Sequence, residues 1–235
     1  MTRSTDTSPA PTPATDTAPA PRPTAMAQDR PAVAVNVVIL TVRERRLEVA
    51  LVKRSRAPYE GMWGIPGGFV RSDESLEDAA KRKLEEETGA RDMYLEQLYT
   101  FGDPHRDPRM RVITVVYYAL IRADELAIHD EAARLWSAYD LPPLAFDHAD
   151  ILRYTLLRLR GKLEYTTIGF QLLGTEFTLS ELQEVYEAIL NRPLDKRNFR
   201  KKLLLMRIVE PTQHTKMTGQ HRPAQLFRFN PKVST

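Results

Sequence analysis

The chain has 235 residues, 42% apolar and 28% charged, a size and composition that suit one large domain or two small ones and exclude a wholly disordered protein. The longest apolar run, around Val112 to Ile121, falls well short of the roughly 20 residues a membrane helix needs and reads as a buried strand. Cysteine is absent, which removes disulfides, thiolate chemistry and zinc–cysteine sites. The first 31 residues have no apolar core of the kind a secretion signal carries, so a cytoplasmic location is expected. Formal charge is +3, but it is segregated: residues 192 to 235 hold eleven Lys or Arg against Asp195 and Glu210, a net +9 that leaves −6 for the rest. A concentrated basic block points to a polyanion partner.

Residues 1–31 carry seven of the seventeen prolines with no apolar periodicity and are expected to form a disordered tail. From Ala32 the sequence AVAVNVVILTV, the turn RERR and LEVALVKR predict two strands. Between Ser72 and Thr88, Leu76, Ala79, Ala80 and Leu84 recur at helical spacing behind a Ser75/Asp78 capping pair. MYLEQLYTF and VITVVYYALI then predict two further strands around the polar loop GDPHRDPRMR. Residues Asp147 to Leu163 predict a helix with Ile151, Leu152, Leu156 and Leu159 on one face, ending at Gly161, and the first domain boundary is placed near residue 162.

Residues 163–235 form a second expected domain. Thr178 and Glu181 make a capping box before a helix facing inward with Leu179, Leu182, Val185, Tyr186 and Ile189. NRPL breaks it, and Asp195 caps a second helix that turns Phe199 and Leu203 inward. RIVE, a polar loop and AQLFRFN predict a hairpin, so the order is that of a winged helix-turn-helix. Lys196, Arg197, Asn198, Arg200 and Lys201 would then face the major groove, where Arg reads guanine and Asn adenine, with Lys216, His221 and Arg222 on the wing. A helical dimerisation module has the same helices but no need of so much positive charge. RNA binding is disfavoured because the segment lacks exposed aromatic platforms.

The strongest local signal is GGFVRSDESLEDAAKRKLEEETGA, in which Gly68, Glu74, Arg82, Leu84, Glu86, Glu87 and Gly89 fall at fixed spacing. It resembles the Nudix family, whose box uses helical carboxylates to gather a divalent metal against a diphosphate. The resemblance implies glutamates at positions 83, 86 and 87, yet position 83 is Lys83. Lys83 and Glu87 stand at i and i+4, where an ammonium pairs with a carboxylate, and Glu85 lies about 200° around the helix and cannot take over. No catalytic residues are therefore expected in the degenerate box. No cofactor is required, and Glu86 and Glu87 would hold Mg²⁺ weakly at most. Arg54, Arg71, Arg106, Arg109 and Arg111, with Trp63, Phe69 and Phe101, are candidates for phosphate contacts and stacking. Pro104, about fifteen residues beyond the box, matches the position of a proline in ADP-ribose-acting members.

Residues 32 to 232 together resemble the NrtR family, Nudix-related transcriptional regulators of NAD metabolism, with FTLSELQEVYEAIL, LDKRNFRKKL and GQHRPAQLFRF carrying the likeness at the C-terminal end. The resemblance implies an α+β fold, a Nudix α/β/α sandwich with a mixed sheet over residues 32–162 followed by the winged helix over 163–235. It further implies a homodimeric repressor on a palindromic double-stranded DNA operator near NAD biosynthesis or salvage genes, released by ADP-ribose or a related nucleotide. The helix from Asp147 to Leu163 and the linker through Gly169 are the expected transmission elements. The competing expectation is a working ADP-ribose or nucleotide diphosphatase with a basic accessory domain.

Overall fold

The computed structural model describes residues 30–91, 93–128, 132–217 and 223–233. The expected tail therefore lies outside the described residues except for Arg30 and Pro31, as do His221 and Arg222. Among the described residues no helix is long and apolar enough to cross a membrane.

The apolar run after Pro31 forms β1 (Ala32–Arg43), which turns through Glu44 and Arg45 into β2 (Arg46–Lys53). Two short strands, β3 (Trp63–Gly64) and β4 (Gly67–Phe69), precede α1 (Leu76–Thr88). Then come β5 (Tyr94–Phe101), β6 (Val112–Leu120) and β7 (Ala133–Ser137). These seven strands share one sheet along the order β3-β2-β1-β6-β5, with β4 paired to β1 and β7 to β2. β1 and β6 run parallel and the other pairings are antiparallel, so the sheet is mixed. β1 is mostly apolar and buried from Val35 to Thr41 because both its faces are covered there. Val35, Val37 and Ile39 meet Ala79, Ala80 and Leu84 of α1, whereas Val38 and Leu40 face the other layer. The short strands escape a period-based reading because two or three residues cannot display alternation.

The opposite layer is α2 (His148–Tyr165). It continues through Gly161, which corrects the expected stop. A mid-helix glycine costs only about 1 kcal/mol against alanine, and burial of Leu163 with the Lys162 to Glu96 ion pair at 2.5 Å outweighs that. The helix thus runs unbroken across residue 162. A 3₁₀ turn (Ile168–Leu172) and β8 (Phe177–Thr178) lead into α3 (Leu179–Leu190), whose N-terminus carries the Thr178/Glu181 capping box. Asn191, at φ 52°, ends α3 in the left-handed region, and Asp195 caps α4 (Lys196–Met206) by accepting from Asn198 N–H at 2.7 Å. β9 (Val209–Lys216) and β10 (Ala224–Phe229) complete a three-stranded sheet in the order β8-β10-β9, the wing of a winged helix. β9 extends well past RIVE into the expected polar loop. Pro211 fits because β9 is an edge strand and needs no donor on its outer side.

The two halves share one core. Val185, Ala188 and Ile189 of α3 belong to the same buried cluster as Leu47, Val49 and Leu51 of β2 and Ile151 and Leu159 of α2. Burying a side chain such as Ile189 contributes roughly 1.5–3 kcal/mol, so the sheet and α3 are held by the same energy that folds each of them. Besides this core and the cluster between the sheet and α1, a third, smaller cluster around Phe177, Leu182 and Leu203 lies inside the winged helix.

Candidate functional site

The Nudix-type segment folds as its chemistry requires, up to position 83. Ser75 caps α1 by accepting from Asp78 N–H at 3.1 Å, and Gly89 closes it at φ 65°, a conformation that favours glycine. Gly67 is forced by proximity, since a Cβ there would lie 2.4 Å from Asn36 Nδ2 and 2.5 Å from the Val35 carbonyl. Arg82 grips Glu74 with two donors, Nε at 2.9 Å and Nη2 at 2.6 Å, and reaches Glu86 with Nη1 at 3.1 Å. The hydrogen bonds from Arg82 first, and then the one from the Arg71 backbone N–H, hold the Glu74 carboxyl down at about 2. Lys83 donates to Glu86 Oε2 at 2.5 Å, an i,i+3 pair where i+4 pairing with Glu87 was expected. Burial pushes the Glu86 carboxyl up, but hydrogen bonds from Lys83 and Arg82 prevail and keep it below its ordinary value. Glu85 points away toward Arg91, 2.7 Å from its Nε, as the helical phase implied.

Glu74, Glu85 and Glu86 are thus committed to internal cations. Among the described residues no group of three His, Asp or Glu is arranged to hold a metal ion. Glu86, one of the acids that a Nudix metal would need, does not fit one while Arg82 and Lys83 occupy its two oxygens.

Beside this helix the sheet opens into a cleft of about 200 Å³ lined in part by Arg54, Gly68, Phe69, Arg106, Arg109 and Phe146. Four of the sequence-chosen ligand residues, Arg54, Phe69, Arg106 and Arg109, therefore come together. The other five lie elsewhere. Trp63 packs edge-on against Trp136, Phe101 against Tyr99 and Tyr154, and Arg111 donates to the Gly102 carbonyl at 2.7 Å. Pro104 is an exposed loop residue, and Arg71 lends its backbone N–H to Glu74 at 2.8 Å.

Within the cleft the arginines differ. Arg106 is buried and bound through two donors to Asp147, at 2.9 and 2.7 Å, and Arg109 binds Asp107 likewise at 3.0 and 2.7 Å. Arg54 instead donates to backbone carbonyls, Pro58 at 3.0 Å and Arg56 at 3.4 Å, and lies 4.6 Å from the centre of the Phe146 ring. Burial first, and then the Arg109 cation, lower its pKa, so an anion brought to Arg54 relieves a strained charge.

Phe146, His148, Asn36 and Asp107 are cleft residues that sequence reasoning missed. His148 is buried, its Nδ1 accepts from Ile65 N–H at 2.9 Å, and burial depresses it to about 4, so it is neutral at physiological pH. Asn36 donates to the Ile65 carbonyl at 3.3 Å and accepts from Thr114 at 2.8 Å. The lone polar residue in AVAVNVVIL was the available signal, because a buried amide must find partners.

On α4, Phe199 packs against Tyr186 at 5.2 Å and Leu203 is buried, as the helical phase predicts. Lys196, Arg197, Asn198 and Lys201 are exposed, and so is Lys202, which the sequence reading left out. Arg200 is a correction: it is half-buried and donates to Ser180 of α3 at 3.1 Å, because its helical position turns toward the neighbouring helix. Lys216 stands at the end of β9 and pairs with the capping-box acid Glu181 at 2.6 Å.

Between the two regions, α2 is pinned at both ends. Asp147, at its N-cap, holds Arg106 of the cleft, and Lys162 in its last turn holds Glu96 of β5. Toward the same C-terminal end, Arg160 donates to the Ile189 carbonyl of α3 at 3.2 Å while Tyr139 donates to the same oxygen. Arg45, in the β1–β2 turn, reaches Glu187 at 3.3 Å.

Residues 30–156 match the NUDIX domain family and residues 169–229 match the NrtR DNA-binding winged helix domain. The ADPR responsive transcriptional repressor NtrR of Acinetobacter baylyi is 41% identical over 207 residues, 85% of this chain and 82% of that protein. The crystal structure of Shewanella oneidensis NrtR complexed with a 27mer DNA superposes with TM-score 0.76 at 36% identity, covering 86% of this chain and 94% of that one. The NUDIX domain of the same Shewanella protein, complexed with ADP ribose, superposes with TM-score 0.52 at 38% identity, over 57% of this chain and 91% of that one. A mixed-sheet Nudix domain whose core is continuous with a winged helix, matched over nearly the whole described chain, places this protein in the NrtR family.

Proposed function

We propose that this protein is a transcriptional repressor that binds operator DNA through α4 and the wing and is released when ADP-ribose enters the cleft of its Nudix domain. The observation that carries the reading is the exposed row Lys196, Arg197, Asn198 and Lys201 on the second helix of a winged helix whose first helix shares its core with the Nudix sheet. The lysines and arginine supply phosphate contacts and guanine readout, and Asn198 has the amide that recognises adenine. In the cleft, Arg54 over Phe146 provides a cation beside an aromatic face, which suits a phosphate joined to a nucleoside. Effector binding acts on the Arg106–Asp147 end of α2, and α2 carries the change to α3 through Arg160.

A homodimer on a palindrome follows the same logic, since one recognition helix reads only a few base pairs and two must enter grooves one helical turn, about 34 Å, apart. NAD biosynthesis or salvage genes in the cytoplasm are the proposed targets, because ADP-ribose reports on NAD turnover.

The test is anisotropy of labelled duplexes from upstream of this gene and of NAD-salvage genes, across several salt concentrations, with and without ADP-ribose and with scrambled DNA as control. Selective binding that weakens with salt and is relieved by ADP-ribose is expected. Equal affinity for scrambled DNA, together with consumption of ADP-ribose, would instead make the protein a diphosphatase.

A further inference from the structure

Lys83 is more than a lost carboxylate. Its side chain is 20% exposed, and its Cε lies 2.6 Å from the position a Cβ on Gly68 would take. Gly68 is a wall of the effector cleft. The lysine is not itself a lining residue of the cleft but sits against Gly68, which is, with its ammonium tethered by Glu86 at 2.5 Å. Glu86 is also bonded by Arg82, whose main partner is Glu74, so Lys83 shares its one carboxylate partner with a second cation. Across positions 74, 82, 83, 86 and 87 the formal charge is −1, whereas a glutamate at 83 would make it −3 and call for a divalent ion before any diphosphate could approach. The cleft's 200 Å³ is below the roughly 300–1,000 Å³ of pockets that enclose a drug-sized ligand, so a molecule with two sugars and a diphosphate overruns its rim.

We propose that the Lys83 ammonium replaces the divalent metal of the Nudix site, contacting the effector's diphosphate directly, so that effector binding is independent of Mg²⁺. The inference rests on the reading of the cleft as an ADP-ribose site and adds which residue meets the diphosphate and that no metal bridges it. A tethered ammonium attracts phosphate without activating water, so the same residue favours retention of the ligand over its hydrolysis.

The test is titration calorimetry of the full chain with ADP-ribose, in EDTA and in millimolar Mg²⁺. Wild type and Lys83→Arg are expected to bind equally well in both buffers. Lys83→Met should bind at least about tenfold more weakly in both, the loss of one charge-assisted contact. Lys83→Glu should bind only when Mg²⁺ is present. Lys81→Met, on the same helix but paired with Glu77, serves as the control and should match wild type. Wild-type affinity that collapses in EDTA, or Lys83→Met that binds like wild type, overturns the proposal while leaving ADP-ribose as the effector. Failure of ADP-ribose to bind wild type in either buffer overturns the effector reading itself and this proposal with it.

Discussion

Arg106 and Asp147 form a two-pronged ion pair between the loop after β5 and the N-cap of α2, with side chains only 5% and 18% exposed. Removing one partner strands the other charge in a poorly solvated place, which costs about 3 kcal/mol or more. Arg106→Ala should therefore lower the urea midpoint of the full chain without changing its slope. Because the pair joins the cleft to α2, the surviving folded protein should also respond more weakly to ADP-ribose in the DNA anisotropy assay. Unaltered stability would mean that the pair is solvated in solution.

His148 sets a pH dependence of stability. Its ordinary value is 6.5 and burial lowers it to about 4 in the folded chain. Between those values the unfolded chain binds the proton and the folded one does not. The contribution is therefore complete above pH 6.5 and is lost as the pH falls toward 4. A drop from pH 7 to pH 4.5 should cost about 2–3 kcal/mol from this group. Denaturation curves of wild type and His148→Gln across that range test it: the variant begins less stable, having lost the bond to Ile65, but its profile should be flatter. Parallel profiles would assign the pH dependence to other groups.

On the DNA side, Lys201→Ala should weaken binding about equally for operator and scrambled duplexes and reduce the slope of log affinity against log salt by about one. Asn198→Ala should cost about 1–3 kcal/mol on the operator, relax the preference at a single base pair and leave the salt slope unchanged. A uniform loss for Asn198→Ala would make it a backbone contact.

Tyr139 and Arg160 converge on the Ile189 carbonyl at the C-terminal end of α3. Tyr139→Phe deletes one donor of this junction at a net cost of about 1 kcal/mol. Operator affinity without effector should be nearly retained, whereas the ADP-ribose concentration needed for half release should rise. Unchanged release would place the coupling in the shared core around Val185 and Ile189 instead.

Much of this architecture was legible before any coordinates. Strands β1, β2, β5 and β6 and all four helices follow from periodicity, caps and glycine placement, because those signals are local. Ser75, Thr178 and Asp195 each announce a helix through a hydrogen bond made within three residues. The phase of α4 likewise separates Leu203 from Lys196 and Lys201 without reference to the rest of the chain. Family membership was readable for the same reason, since its motifs are contiguous.

What the tertiary structure decided are relationships between distant segments. Arg54 and Arg106 look equivalent in sequence, yet only folding gives Arg106 the distant carboxylate of Asp147 and leaves Arg54 against Phe146. The cleft gathers Asn36, Asp107 and His148 from a strand, a loop and a helix start, and their spacing carries no period. Lys83 could be seen to displace a metal ligand, but its choice of Glu86 and its contact with Gly68 depend on how β4 lies over α1. The continuity of the core from Leu47 to Ile189 had no local signature at all, because burial depends on which apolar faces meet and not on which residues are neighbours in the chain.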